Sequence, residues 1–303
     1  DIGGTNIVIG FFDEKINLIN SLEYPTPSKE VESKIPESIS NAILKYFKNN
    51  NLEIKNLLGI GISIPGPVKE KRILKTPNIK FPKNFDMIKA LENDFPKTNI
   101  TLANDANLAA YGEYKVRGLI KNNMIMITLG TGVGGGIIIN GKIIEGMHGC
   151  AGELGHIKVE NDENRLCGCG NKGCLETHSG GVGLINYAKE VIKDNKTVLK
   201  KDNLTVKSII DAAKESDPIA KRLLNDFVIN LSVTIANLSV ILDPDLFVIG
   251  GGIANAGSYL LEKIETEFKK HARFNLADTP IELAQLGGLA GIYGAAYLSK
   301  EKK

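Results

Sequence analysis

Glycine is gathered in this chain rather than spread along it. Of 303 residues 32 are glycine, above the roughly 7% of average usage. They concentrate at Gly3-Gly4, Gly130 to Gly136, Gly149 to Gly155 and Gly250 to Gly252. Three of these clusters border apolar runs rich in β-branched residues: "IVIGFF" follows the first, "MIMITL" precedes the second and "LFVIGGG" contains the last. Short apolar runs bounded by glycine read as buried strands. Between them, "IPESISNAILKYFKNN" (Ile35 to Asn50) and "SDPIAKRLLNDFVINLSVTIANLSVIL" (Ser216 to Leu242) carry apolar residues at three- and four-residue spacing and predict helices. Ser216 or Asp217 is the expected N-cap of the latter, with Pro218 in its first turn. Strands mixed with helices make the chain α/β, and its length suggests two domains or two lobes with intertwined termini.

"DIGGTNIVIG" and "LGTGVGGGIIINGK" share a plan of lead-in, Gly/Thr turn and β-run, roughly 130 residues apart. Backbone N–H groups in such turns can approach phosphate oxygens because no Cβ intervenes. Either turn alone fits an ordinary hairpin equally well, and Asn140-Gly141 is itself a hairpin signal. The pair, with "VIGGG" added, favours two similar lobes facing a nucleotide cleft.

"LCGCGNKGCLE", Leu166 to Glu176, holds three of the four cysteines. A chain this long buries a core without covalent staples, and a C-x-C step places its sulfurs poorly for an unstrained bridge. Tight cysteine spacing with a nearby histidine suits zinc. The apolar share of 43%, charged share of 24% and net charge of +2 are those of an ordinary globular protein and imply no nucleic acid or other polyanion as partner. The apolar run Leu231 to Leu242, which contains Ser, Thr and Asn, reads as too short and too polar to span a bilayer. With no secretory leader and few cysteines, a reducing cytoplasm is expected. The chain begins at Asp1 without a Met, so further residues are expected before it.

"DIGGTN", "LANDANLAAYGE", "LGTGVGGG", "GMHGCAGELGH", "CGCGNKGCLE" and "LDPDLFVIGGG" stand in the order in which they occur in the ROK family of bacterial sugar kinases. The chain resembles that family from Asp1 to about Ala296, and its glucokinase branch most, through "SIPGPV", "TPNI" and "GCLET". The resemblance implies a two-lobed hexokinase/actin-like ATPase fold with ribonuclease H-like lobes and a central cleft. The expected lobes are residues 1–104 and 105–287, with a C-terminal helix at about 288–303 packing back on the first. It implies ATP-dependent phosphorylation of a hexose 6-hydroxyl, glucose first. The alternatives are N-acetylmannosamine or another hexose or amino sugar, and, from another class, a sugar-responsive repressor whose DNA-binding head would precede "DIGGT". A homodimer is common in the family.

Residue by residue, the resemblance places Asp1, Gly3, Gly4 and Thr5 in the first phosphate turn, with Asp1 near Mg²⁺. Gly130, Thr131 and Gly132 form the second, and Gly250, Gly251 and Gly252 line the adenosine side. Asp105 is the expected base, at the junction of "ITLAN" and a helix, where an N-cap role for Asn104 or Asp105 would also fit. Asn104, Glu153, His156 and Glu176, with Asn78 and the backbone at Gly66, are the expected sugar ligands. His156, Cys167, Cys169 and Cys174 compose a closed Cys₃His structural zinc site. Cys150 is expected to pack as a small residue, and His148, His178 and His271 to play surface or core roles.

Overall fold

The computed structural model describes residues 1–27, 34–74, 76, 79, 81, 85–159 and 165–301. The chain divides into two compact units. The first comprises Asp1–Ile120, Lys142–Ala151 and the chain from Gly288 onward; the second comprises Lys121–Gly141 and Gly152–Gly287.

In the first unit, "IVIGFF" lies in the strand Asn6–Phe12, paired antiparallel with Leu18–Pro25. Gly59–Ile64 and Asn99–Asn104 run parallel, with Ile64 opposite Asn104. The helix Lys34–Asn49 presents Ile35, Ile39, Ile43 and Phe47 to a core shared with Ile60 and Ile62. The opposite face of Gly59–Ile64 lies against the helix Ala290–Lys300. A Cβ on Gly61 would come 1.9 Å from the carbonyl oxygen of Ala295, so only glycine lets strand and helix backbones approach this closely.

The same helix decides where the helix Asp105–Val116 belongs. A Cβ on Gly294 would lie 1.8 Å from the carbonyl oxygen of Leu108, and one on Gly112 would lie 2.4 Å from that of Ala290. These two helices pack backbone to backbone, so Asp105–Val116 lies in the first unit, whereas the sequence reading began the second lobe at residue 105. Individual glycines forbid that boundary, and no apolar periodicity announces it.

In the second unit, "MIMITL" is the buried strand Met124–Leu129 and "LFVIG" the buried strand Leu246–Gly250, parallel with Met126 opposite Val248. Val133–Ile139 flanks the first antiparallel and Ile281–Leu283 the second parallel. Asn140 and Gly141 take φ 50° and 76°, the left-handed pair a two-residue hairpin turn requires. The helix Pro218–Leu242 is capped by Asp217, whose side chain accepts the N–H groups of Ile219 and Ala220, with Pro218 in the first turn. At 25 residues it exceeds the apolar run noted in the sequence, and by length and composition it could cross a membrane. Its Leu223, Phe227, Leu231 and Ile235 are instead buried within the unit, the pattern of a core helix.

Candidate active site

Each unit carries its own set of candidate residues. In the first, the parallel strands end together at Ile64 and Asn104, and ligands of α/β sheets gather at such carboxyl ends. Asn104 Nδ2 donates to the carbonyl of Gly66 at 3.1 Å, and its Oδ1 accepts the N–H of Asn107 at 3.0 Å. The amide thus caps the helix and holds the Pro65-Gly66-Pro67 turn, in which Gly66 takes φ 99°, a conformation suited to glycine. The cap is therefore filled by Asn104 and does not account for the acid beside it. Asp105 is the first helical residue, half-buried, with Oδ1 accepting the N–H of Ala106 at 2.8 Å.

The "DIGGTN" turn is braced by residues that the sequence did not single out. Ser63 donates its hydroxyl to Asp1 Oδ1. The Gly3 N–H donates to Asn6 O at 2.9 Å and closes the turn around Gly4. Buried Thr26 donates its N–H to Thr5 O at 2.8 Å and its hydroxyl to Gly3 O at 2.7 Å. Ser63 lies within "SIPGPV", but its partnership spans 62 positions, and for Thr26 the sequence offers no signal.

The second unit gathers the remaining candidates more tightly. A ring nitrogen of His156 and the sulfurs of Cys167, Cys169 and Cys174 all lie within 4.8 Å of one another. Zinc bonds of about 2.3 Å to sulfur and about 2.0 Å to nitrogen, at tetrahedral angles, set sulfurs about 3.8 Å apart and sulfur and nitrogen about 3.5 Å apart. Cys169 and Cys174 sulfurs are 3.8 Å apart, and Cys167 Sγ is 3.5 Å from His156 Nδ1. All four cysteines are unbridged. The donor set therefore fits a zinc ion in both kind and spacing. Burial pushes the Cys167 and Cys174 thiols up, while the Asn171 N–H and the neighbouring thiols hold Cys169 below the usual range against burial. Cys150 is exposed, not packed, and stands apart from the set. Of the other histidines, His178 is buried against Arg165, His271 pairs with Glu267 and His148 is exposed.

Around this cluster the polar candidates converge. The His156 side chain is exposed, with Nε2 3.9 Å from Glu153 Oε2. Glu176 Oε1 accepts from the Cys167 thiol at 3.2 Å. Its other oxygen lies under the second glycine turn, where a Cβ on Gly132 would come 2.0 Å from Glu176 Oε2. The turn is held from behind, because Gly181 N–H donates to Gly130 O at 2.9 Å and Val182 N–H to Thr131 O at 3.0 Å. Gly130 has open space where a side chain would stand. Gly252 is equally open, but Gly250 and Gly251 have packing reasons of their own: a Cβ on either would come 2.4 Å from Met126 Cε or Leu129 O. Asn78 lies outside the described residues.

A two-lobed α/β protein of the hexokinase/actin-like ATPase class is thus defined by fold, and comparison with known proteins specifies it further. The ROK family model matches residues 1–302. A glucokinase of Halalkalibacterium halodurans is 36% identical over 313 residues, 100% of this chain and 94% of that protein. An N-acetyl-D-glucosamine kinase of Haemophilus influenzae is 29% identical over 310 residues, 98% and 97% of the two chains. The crystal structure of a ROK family glucokinase from Streptomyces griseus in complex with glucose and AMPPNP matches with a TM-score of 0.77 at 32% identity, covering 98% of this chain and 96% of that one. The chain belongs to the ROK family.

Proposed function

We propose that this ATP-dependent sugar kinase transfers the γ-phosphoryl group of ATP to the 6-hydroxyl of glucose. The observation that carries the reading is the place of Glu176: one carboxylate set beside the Cys167 sulfur of the metal-site cluster and under the Gly132 turn. A hydroxyl-accepting group thus adjoins a backbone turn of the kind that binds phosphate, within one unit. Phosphoryl transfer needs little covalent help from a protein beyond positioning and charge stabilisation, and the residues divide accordingly. Asp105 accepts the proton of the attacking 6-hydroxyl, and Asn104 steadies that end of the sugar. Glu153, the exposed His156 side chain and Glu176 accept from or donate to the other hydroxyls. The Gly3–Thr5 and Gly130–Gly132 turns hold the phosphates, and Asp1, steadied by Ser63, faces the Mg²⁺ that accompanies ATP. Asn78 joins the sugar ligands, and Gly250, Gly251 and Gly252 line the adenosine.

His156, Cys167, Cys169 and Cys174 would hold zinc, whose four protein ligands leave no position for substrate. Bound there, zinc would join the His156 ring to the segment leading to Glu176 and so fix the positions of both, apart from the transfer itself.

Glucose is preferred over N-acetylated sugars. An acetamido group still offers an N–H to these acceptors, so discrimination rests on room beside the ring, worth only about 1–3 kcal/mol. The test is kcat/KM for glucose, mannose, fructose, N-acetylglucosamine and N-acetylmannosamine under one set of conditions. Glucose should lead, with some turnover of amino sugars. A lead by an acetylated sugar would make this an amino-sugar kinase, with base and zinc site unchanged.

A further inference from the structure

Glu176 rides on a helix too short to orient itself. Leu175–Ser179 has 5 residues and no side-chain cap at its start, and a single turn costs more order to nucleate than its few hydrogen bonds return. It is seated by burial of Leu175 and by the Ser179 hydroxyl, which donates to Phe227 O at 2.8 Å on the helix Pro218–Leu242. Leu175 and Ser179 lie one turn apart on a single stripe, so these contacts alone let the helix rock about that line. Glu176 and His178 flank the stripe on opposite sides, about 200° apart around the axis. Whatever holds His178 therefore decides where the Glu176 carboxylate aims.

Arg165 holds it. Its Nη1 lies 2.9 Å from His178 Nδ1 and donates to the carbonyl of Thr177 at 3.4 Å. A guanidinium has donors only, so His178 Nδ1 is the acceptor. The same guanidinium lies over the ring of Tyr187, 4.1 Å from its centre, on the helix Gly181–Val191. The Arg165 backbone also closes the neck of the cysteine loop, because its carbonyl accepts the N–H of Gly173 at 3.2 Å. One residue thus joins the base of the loop, the far side of the Glu176 helix and a third element. On the near side of Glu176 stands Cys174, a donor of the metal site, so the carboxylate lies between two separate pins.

We infer that Arg165 is a positioning residue for the sugar: it fixes the rotation of Leu175–Ser179 and so aims the Glu176 carboxylate, by a route separate from the metal site. The inference rests on the reading that Glu176 holds the sugar. The task needs a planar group that stacks on an aromatic face while it donates from its edge, which lysine cannot supply. Arg165 acts on a sugar ligand and not on the reacting atoms. Its loss should therefore appear in glucose affinity and leave turnover at saturation almost unchanged.

The test is a double-mutant cycle of Arg165→Ala and Glu176→Ala, read by calorimetric glucose binding, steady-state kinetics and zinc content. Arg165→Lys and Tyr187→Leu replace Arg165→Ala should that protein fail to fold, and Tyr187→Phe is the conservative control. Arg165→Ala should raise Kd and KM for glucose about tenfold, with kcat within about twofold and KM for ATP and zinc content unchanged. Arg165→Lys and Tyr187→Leu should move glucose affinity the same way, and Tyr187→Phe, which keeps the ring, should restore it. With Glu176 already replaced, Arg165→Ala should add less than about twofold, because the group it aims is gone. Normal glucose binding by folded Arg165→Ala, or a loss that multiplies in full with that of Glu176→Ala, would overturn the inference and leave Glu176 a sugar ligand. Affinity lost only in step with zinc would also overturn it, by assigning the effect to the metal site. Unchanged glucose affinity in Glu176→Ala itself would remove the reading of Glu176, and this inference with it.

Discussion

Replacing Gly132 with alanine separates the stability of the second unit from the placement of one carboxylate. The added Cβ would lie 2.0, 3.0 and 3.6 Å from Oε2, Cδ and Cγ of Glu176, and these are its three nearest neighbours. Ordinary contact lies near ~3.5 Å, so the carboxylate must retreat by about 1.5 Å. What gives way is the tip of a flexible side chain, and Gly132 does not occupy a positive φ. Lost unfolded-state freedom contributes about 0.4–1 kcal/mol in favour of the variant, against a modest packing cost. The thermal midpoint should therefore stay within about 3 °C. Binding should not survive so well, because a displacement of about 1 Å at a positioning group can cost about 10²-fold. Steady-state kinetics of Gly132→Ala should show kcat/KM for glucose reduced about 10²-fold. Gly130→Ala, with nothing within 4 Å of its added carbon, should leave glucose recognition intact and weaken ATP. Unchanged glucose kinetics in a folded Gly132→Ala protein would show that Glu176 does not hold the sugar. A midpoint lowered by more than about 10 °C would show that backbone, not a side-chain tip, has to move.

Asp105→Asn should lower kcat at least about a hundredfold while glucose affinity changes little, since a general base supplies about 10²–10⁴ in rate; its stability should hold because Asn104 is the cap, and near-normal turnover would remove Asp105 as base. Metal analysis should find about one zinc per chain, and Cys169→Ser should weaken glucose binding and speed proteolysis near residues 165–176; full activity in zinc-free protein would refute the structural role. Asp217→Ala removes acceptors for Ile219, Ala220, Val198 and Thr197 and should cost about 2 kcal/mol or more by urea unfolding. Burial alone would raise the Asp217 carboxyl, but those hydrogen bonds hold it below its usual range. Its contribution is thus complete above the unfolded pKa near ~4 and lost as pH falls through the lower folded value. Asp217→Asn should flatten that acid loss, and a slope identical to wild type would refute the assignment.

How far the sequence could be read depended on the range of the interaction. "MIMITL", "LFVIG" and the Asp217-Pro218 start are local patterns, and each formed the expected element. Three of the four metal-site donors lie within eight positions, so their meeting was legible before any fold was known. Ser63 with Asp1, and Thr26 with the Gly3–Thr5 turn, join residues far apart, and neither serine nor threonine advertises such a task. Glycine was visible but its purpose was not. Gly250 and Gly251 read as nucleotide-lining, yet each has a packing neighbour at 2.4 Å. Nothing local in the sequence marks Gly112 and Gly294 as packing residues, though they bind the helix Asp105–Val116 to the first unit and shift the expected lobe boundary.

Because the helix Ala290–Lys300 completes the first unit, order of synthesis becomes part of this protein's folding problem. By the time Ile120 has been made, two glycine-lined faces, on Gly61 and Gly112, are waiting for a helix roughly 170 residues away. At about 5–20 residues per second, the wait is about 10–30 s. During that interval the second unit can be finished, whereas the first must stay open with Leu108 and Ala103 only partly covered. A nascent chain stalled short of residue 290 would therefore offer chaperones an unsealed first unit beside a complete second one. Truncations at the C-terminus should be far more damaging than their small length suggests.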